Sequence, residues 1–159
     1  MFARDIPICA AVVALALAAP AYSAEEGETF VVEAAYAAVS AGDVDAAVDM
    51  LTEDAVFAVV PAPGRMGAPA LAGKEAIRGW WAGTYKDNGR VEVSDLKLDG
   101  GRATFTCLYY GDHFETLGIS PAEFDGTAIL RDGKIRVLVW SYTEAYEPKL
   151  KAAFAKAAN

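Results

Sequence analysis

The sequence has few of the side chains that bind metals or nucleic acids. It contains one histidine and two cysteines, and its 22 aspartate and glutamate residues outnumber its 14 lysine and arginine residues, giving a net charge of -8. Because zinc sites use mostly histidine and cysteine, and the acidic residues form no cluster with ligand-like spacing, we predict no metal. Nucleic-acid binding needs clustered lysine and arginine that contact the phosphates. This acidic sequence therefore predicts no nucleic-acid partner. Glycine-rich phosphate loops and the Gly-x-Ser-x-Gly motif are also missing, so we expect no cofactor and no serine nucleophile.

Only one long apolar run occurs in the sequence, at residues 6–19. Arg4 precedes it and the small residues Ala21, Ser23 and Ala24 follow it, which is typical of a secretory signal peptide. The run is short for a membrane span. We therefore predict a signal peptide over residues 1–24, cleaved after one of these three residues. The mature protein is then periplasmic or secreted and has no membrane partner, whereas the alternative is a retained N-terminal anchor.

The cysteines support a single domain without a disulfide. Cys9 lies in the predicted leader, so the mature chain keeps Cys107 alone and no intrachain disulfide can form. Cys107 lies in a β-rich apolar run, which favours a buried thiol over a nucleophile. Residues 25–159 are enough for one hydrophobic core, and we predict one domain there.

The order of the periodic segments predicts an α+β fold with helices first and strands later. An alanine-rich helix over residues 25–41 ends at Gly42, and Asp43 caps a shorter helix whose apolar stripe runs from Val44 to Leu51. A strand at 54–60 leads into a loop rich in proline and glycine, and a third helix with an aromatic face follows Gly73.

The rest of the sequence predicts a curved antiparallel sheet and a terminal helix. Alternating residues form a strand over 91–98, where a change of parity around Ser94 and Asp95 indicates a bulge. Turns at residues 99–101 and 132–133 connect further strands at 103–110, 127–131 and 134–142. Helical spacing returns at 147–157.

Several of these segments, in order, resemble the SnoaL-like branch of the nuclear transport factor 2-like families. The resemblance lies in the helical corner 41–45 with the strand 51–57, in the loop and helix 71–80, and in residues 111–113, 117–121 and 132–135. It implies a cone, in which a curved antiparallel sheet wraps around three N-terminal helices and leaves an apolar cavity open at one end. Proteins of this family commonly dimerise, so the resemblance also implies a homodimer. The same cone hosts isomerases, cyclases, epoxide hydrolases, dehydratases and binding proteins.

The carboxylates that such enzymes use are not found at the matching positions. The position of the ketosteroid isomerase base falls on Val59, and the place of the tyrosine in the opening helix falls on Ala35, beside Tyr36. The acid of the cyclases falls on Gly126 or Ala128, depending on the alignment. Only Asp125 lies near it, and a shift of one residue along a strand changes the face of the sheet.

His113 is the remaining candidate for acid–base chemistry. The resemblance places it at a strand end near the cavity mouth, where a histidine can act as a general base near neutral pH, assisted by Asp112 or Tyr36. The alternative is that the His113 ring bonds to a backbone carbonyl and Asp112 belongs to a turn.

Large apolar residues on the third helix and the late strands are candidate ligand contacts, although each could equally be ordinary core. They are Trp80, Trp81, Tyr109, Leu138, Trp140 and Tyr142. The sequence thus favours an exported protein that binds a small apolar molecule. The alternatives are a cofactor-free isomerase, cyclase or hydratase acting on a polyketide- or steroid-like substrate, and a protein-binding module.

Overall fold

The computed structural model describes residues 24–60 and 70–157. The predicted leader lies outside these ranges except for Ala24, and so does the proline- and glycine-rich loop at 61–69. Cleavage of the leader therefore stays a prediction. No helix in the described part of the chain is long and apolar enough to cross a membrane.

The described residues form five helices and six strands, in the predicted order of helices first and strands later. The helices are α1 (Ala24–Ser40), α2 (Val44–Asp49), α3 (Lys74–Lys86), α4 (Asp112–Thr116) and α5 (Glu147–Ala157). The strands are β1 (Leu51–Val60), β2 (Leu71–Ala72), β3 (Arg90–Asp99), β4 (Arg102–Tyr110), β5 (Ala122–Arg131) and β6 (Lys134–Tyr142).

The strands form one curved sheet that does not close, in the order β2-β1-β6-β5-β4-β3. All neighbours are antiparallel except β1 and β6, which are parallel. The hairpin between β5 and β6 turns at Asp132 and Gly133, which have φ of 54° and 71°. Such positive values match the right-handed twist of the flanking strands, which is why the sequence uses Asp-Gly there. The predicted α+β fold with a curved sheet is confirmed.

The predicted irregularity in β3 is also confirmed. The pairing of β3 with β4 shifts between Ser94 and Lys97, and Asp95 has φ of 54°. One extra residue on a strand bends it and reverses the parity of the residues that follow. This bend allows β3 to follow α1, against which it packs.

The inner face of the sheet and the helices enclose one core. Alternate residues of β5 are buried from Ala122 to Leu130, and α1 buries Val32, Tyr36 and Val39 against the sheet. Cys107 is buried in this core, as predicted, and burial raises the pKa of its thiol. A thiol with a raised pKa is a weak nucleophile.

Two strands start three or more residues earlier than the sequence predicts, and one short helix differs from the prediction. Leu51 belongs to β1 rather than to the second helix, because its pairing with Ile135 of β6 extends the sheet to that point. Strand β5 begins at Ala122 rather than Thr127, since the residues between them pair with β4. The short helix α4 was not predicted at all.

Gly126 of β5 gives a test of this packing. It pairs with Phe105 of β4, and a Cβ atom at Gly126 would overlap the Phe105 ring. We expect Gly126→Ala to lower the free energy of unfolding by about 1–3 kcal/mol, as overpacking does. Gly79→Ala is the control, because it lies in α3 with open space around it and alanine favours a helix by up to about 1 kcal/mol. Equal unfolding midpoints in urea for both variants would contradict this packing.

Candidate functional site

A cavity of about 370 Å³ opens between α3, α4 and the inner face of the sheet. Sites for small molecules typically have volumes of about 300–1,000 Å³. The lining residues come from β1, α3, β4, α4, β5 and β6 and the turn after α3. They are Val59, Gly79, Trp80, Gly83, Thr84, Asp87, Tyr109, His113, Phe114, Phe124, Trp140 and Tyr142.

Trp140 forms much of the aromatic wall. Its ring lies 4.9 Å from the Phe124 ring and 6.3 Å from the Tyr109 ring, measured between centroids. Its indole N–H donates a hydrogen bond of 2.6 Å to the hydroxyl of Tyr36, which lies beneath it in the core. A buried indole N–H needs such a partner, because leaving it unpaired costs about 1–3 kcal/mol.

A carboxylate and a phenol form the polar part of the lining. Asp87 follows the last residue of α3, and the Tyr109 hydroxyl donates to its Oδ2 atom at 3.2 Å. Burial raises the pKa of Tyr109, and the negative charge of Asp87 raises it further. The phenol therefore stays protonated at neutral pH and remains a donor to the carboxylate.

Two glycines leave room for this pair. A Cβ atom at Gly111 would lie 2.6 Å from the Tyr109 hydroxyl oxygen and 2.7 Å from Oδ2 of Asp87. A Cβ atom at Gly89 would lie 2.9 Å from the same hydroxyl. The φ of Gly111 is -164°, an extended value that any residue adopts. The position therefore needs a small residue because the neighbouring side chains are close, and not because of the backbone conformation.

The segments on both sides of the pair are joined by hydrogen bonds. The backbone N–H of Asp112 donates to the carbonyl of Asp87 at 3.0 Å, and the side-chain amide of Asn88 donates to Oδ2 of Asp112 at 2.7 Å. These two hydrogen bonds thus fix the turn after α3 against the start of α4.

Of the three predicted catalytic residues, the structure brings only His113 to the cavity. Its side chain is exposed in α4, and its ring meets the Phe114 ring edge-on at 5.5 Å. Asp112 is exposed and bonded to Asn88, and Tyr36 is 2% exposed and bonded to Trp140. Neither lines the cavity, so the three residues do not form one group. His113 also lies in a helix, not at the end of a strand as expected.

The predicted ligand contacts divide between the cavity and the core. Trp80, Tyr109, Trp140 and Tyr142 line the cavity, and burial raises the pKa of Tyr142 to about 12. Trp81 and Leu138 are 2% exposed and lie in the core instead of the lining. Trp81 is the neighbour of Trp80 on α3 and therefore points in another direction. Leu138 shares a face of β6 with Trp140 but lies two residues further from the cavity.

Asp87 is the main residue that sequence reasoning missed. It lies seven residues after Trp80, and Trp80, Gly83, Thr84 and Asp87 occupy one face of α3 and its end. That helical spacing is visible in the sequence. Asp87 directly precedes Asn88 and Gly89, residues typical of turns, and it was not considered as a site residue from the sequence.

The sequence resemblance assigns the carboxylates of related enzymes to three positions of this chain. In the structure these positions hold residues without a polar side chain. Val59 lines the cavity, and Gly126 and Ala128 are buried on the inner face of β5. Asp125 is exposed on the other face. Within the described ranges, no group of three or more histidine, cysteine, aspartate or glutamate side chains is placed to hold a metal ion.

The family resemblance is confirmed by a match to the model of the SnoaL-like domain over residues 32–138, more than half of the chain. No curated protein matches the chain in sequence.

Solved structures share the fold at low sequence identity. An epoxide hydrolase/cyclase-like enzyme with a role in pyran ring formation in the polyether salinomycin has a TM-score of 0.61 and 20% identity, covering 77% of this chain and 95% of its own. A protein assigned as a polyketide cyclase from Sinorhizobium meliloti has a TM-score of 0.57 and 24% identity, covering 70% and 93%. A de novo designed protein with a curved β-sheet has a TM-score of 0.59 and 17% identity, covering 84% and 98%. A fold that a designed sequence also adopts does not by itself specify a ligand.

Proposed function

Because the chain belongs to the SnoaL-like domain family, we propose that it binds a small, largely apolar molecule in the cavity between α3 and the sheet. The observation that carries this proposal is the lining itself, in which Trp80, Phe124, Trp140 and Tyr142 surround a space of about 370 Å³. Aromatic walls provide a large apolar contact area for a flat guest, and a few polar groups orient it. Asp87, Tyr109, His113 and Tyr142 are the titratable side chains of the lining.

Export and self-association belong to the same proposal. The apolar run at 6–19 supports a periplasmic or secreted protein.

The outer face of the sheet carries the half-buried apolar residues Ile129, Val137 and Val139, which supports a homodimer through that face. A dimer of this kind leaves the cavity on the inner face available to a small molecule.

Filling the cavity tests the binding proposal. Gly83 lines the cavity and has no atom within 4 Å of a Cβ built on it, so a leucine there would occupy open space. We expect Gly83→Leu to weaken the binding of 2-methylnaphthalene at least about tenfold, measured by quenching of tryptophan fluorescence, because the probe loses the volume it needs. Ala152→Leu, at an exposed position of α5, is the control and should bind the probe as the wild type does. Equal affinity in both variants would rule out this cavity as the binding site.

An enzyme is the second candidate, and the position of His113 favours it. The imidazole lines the same cavity as the aromatic wall, where it could take a proton from a bound molecule. In this alternative the chain is a cofactor-independent isomerase, cyclase or hydratase acting on a polyketide- or steroid-like substrate. Asp112 does not line the cavity, and its carboxylate accepts a hydrogen bond from Asn88.

Replacing His113 separates the two candidates. A general base contributes about 10²–10⁴-fold to a rate. If the chain is such an enzyme, His113→Gln lowers the turnover of a ketosteroid or cyclisable polyketide mimic by that factor, measured by mass spectrometry of the products, while binding of 2-methylnaphthalene is kept. If turnover is unchanged, or if no turnover occurs with the wild type, His113 is not a base and the binding candidate stands alone.

A further inference from the structure

We propose that the Asp87 carboxylate, oriented by Tyr109, recognises the polar end of the ligand, which therefore carries a hydrogen-bond donor such as a hydroxyl, a phenol or an amine and is not an anion. This inference rests on the proposed binding function and names the ligand class for it. It assigns the polar contact with the ligand to Asp87, at the end of α3, and not to His113.

The carboxylate of Asp87 has acceptor capacity for a ligand. An ionised carboxylate accepts only, and its two oxygens together offer about four positions for hydrogen bonds. Tyr109 occupies one position at Oδ2, and Asp87 is itself part of the cavity lining. A ligand hydroxyl or ammonium group can therefore complete its coordination, whereas a ligand carbonyl cannot, since two acceptors do not bond to each other.

The pair is organised before any ligand arrives. Tyr109 holds the carboxylate through its hydroxyl, and the N–H of Asp112 holds the backbone carbonyl of Asp87. Gly89 and Gly111 leave the space that the phenol and the carboxylate occupy. Groups held in place before binding lose less conformational entropy when the ligand binds.

The charges around this end of the cavity disfavour an anionic ligand. None of the twelve residues that line the cavity within the described part of the chain is lysine or arginine. The negative charges of Asp87 and Asp112 both act on the Tyr109 hydroxyl, so two carboxylates lie near it. Like charges in a partly buried site repel each other, and a ligand carboxylate would add a third.

Three probes of nearly equal shape test this inference: 2-naphthol, 2-methylnaphthalene and 2-naphthoate, with dissociation constants measured by isothermal titration calorimetry. A hydrogen bond to a charged group stabilises binding by roughly one to two factors of ten. We expect the wild type to bind 2-naphthol at least about tenfold more tightly than 2-methylnaphthalene, and 2-naphthoate most weakly. Asp87→Asn keeps the shape of the side chain and one acceptor oxygen but removes its charge, so it should reduce the advantage of the naphthol and improve binding of the naphthoate.

Further variants make the outcomes distinct. Asp125→Asn removes the same charge on the exposed outer face of β5 and should leave all three affinities unchanged. Tyr109→Phe keeps the carboxylate, so the preference for naphthol over naphthoate should persist in it. Asp87→Ser is measured beside Asp87→Asn, with circular dichroism as the check of folding, so that the test does not depend on one variant.

The results separate this inference from the proposed function. If the wild type binds none of the probes, both are wrong. If it binds 2-methylnaphthalene and the replacements of Asp87 change the three affinities equally or not at all, binding in the cavity stands and recognition by Asp87 is wrong. Recognition by Asp87 is also wrong if Tyr109→Phe alone abolishes the preference, since the phenol would then be the recognising group.

Discussion

The hydrogen bond between Trp140 and Tyr36 joins the two layers of the molecule. It connects residues that are 104 positions apart, one on the last strand and one on the first helix, at a point where both side chains are buried. Around it the Tyr36 ring also meets the rings of Trp81 and Phe105. Because a buried indole N–H without an acceptor is costly, this bond fixes how α1 lies on the sheet. The other face of the same indole is then the wall of the cavity.

This arrangement explains why the core and the cavity are built from one set of aromatic residues. Trp140 contacts Tyr36 and Phe57 on its core side and Phe124 and Tyr109 near the cavity. The cavity is bounded on its other side by α3 and α4, which contribute Trp80 and Phe114. Among the polar residues of the lining, Asp87 follows the end of α3, Tyr109 lies near the end of β4, and His113 lies near the start of α4. The chemistry of the site thus resides at the ends of α3 and β4 and at the start of α4, while the sheet supplies shape.

Much of the fold follows from the sequence, because periodicity is a local property. The parity change at Ser94 and Asp95 indicated the bulge in β3, and Asp132 with Gly133 indicated the last hairpin. The start of β5 could not be predicted, since Ala122 to Gly126 are held as a strand by pairing with β4. The short α4 carries no repeating pattern, because it is little more than one turn long.

The site was harder to predict than the fold, for a related reason. A tryptophan on an apolar face is compatible with the core and with a cavity wall, and only the packing of other elements separates Trp80 from Trp81. The polar group was sought on the strands, where the resemblance places it, and these positions hold Val59, Gly126 and Ala128. The acidic residue of the cavity lining is Asp87, at the end of α3 instead. A family pattern directs attention to its own positions, so a group that has moved to another element is easily missed.

The parallel pairing of β1 with β6 has a consequence for how the molecule forms. Val56 lies beside Val137 and Val60 beside Ser141, so β1 pairs with a strand about 80 residues later in the chain, and its other neighbour is the two-residue β2. Contacts between segments so distant in sequence form slowly, because a long loop must close before they contribute. During synthesis, β1 therefore remains without its main partner until the last strand has left the ribosome. The helices at the start of the chain, and strand β3 on which α1 packs, can form earlier, but the sheet is complete only when β6 pairs with β1.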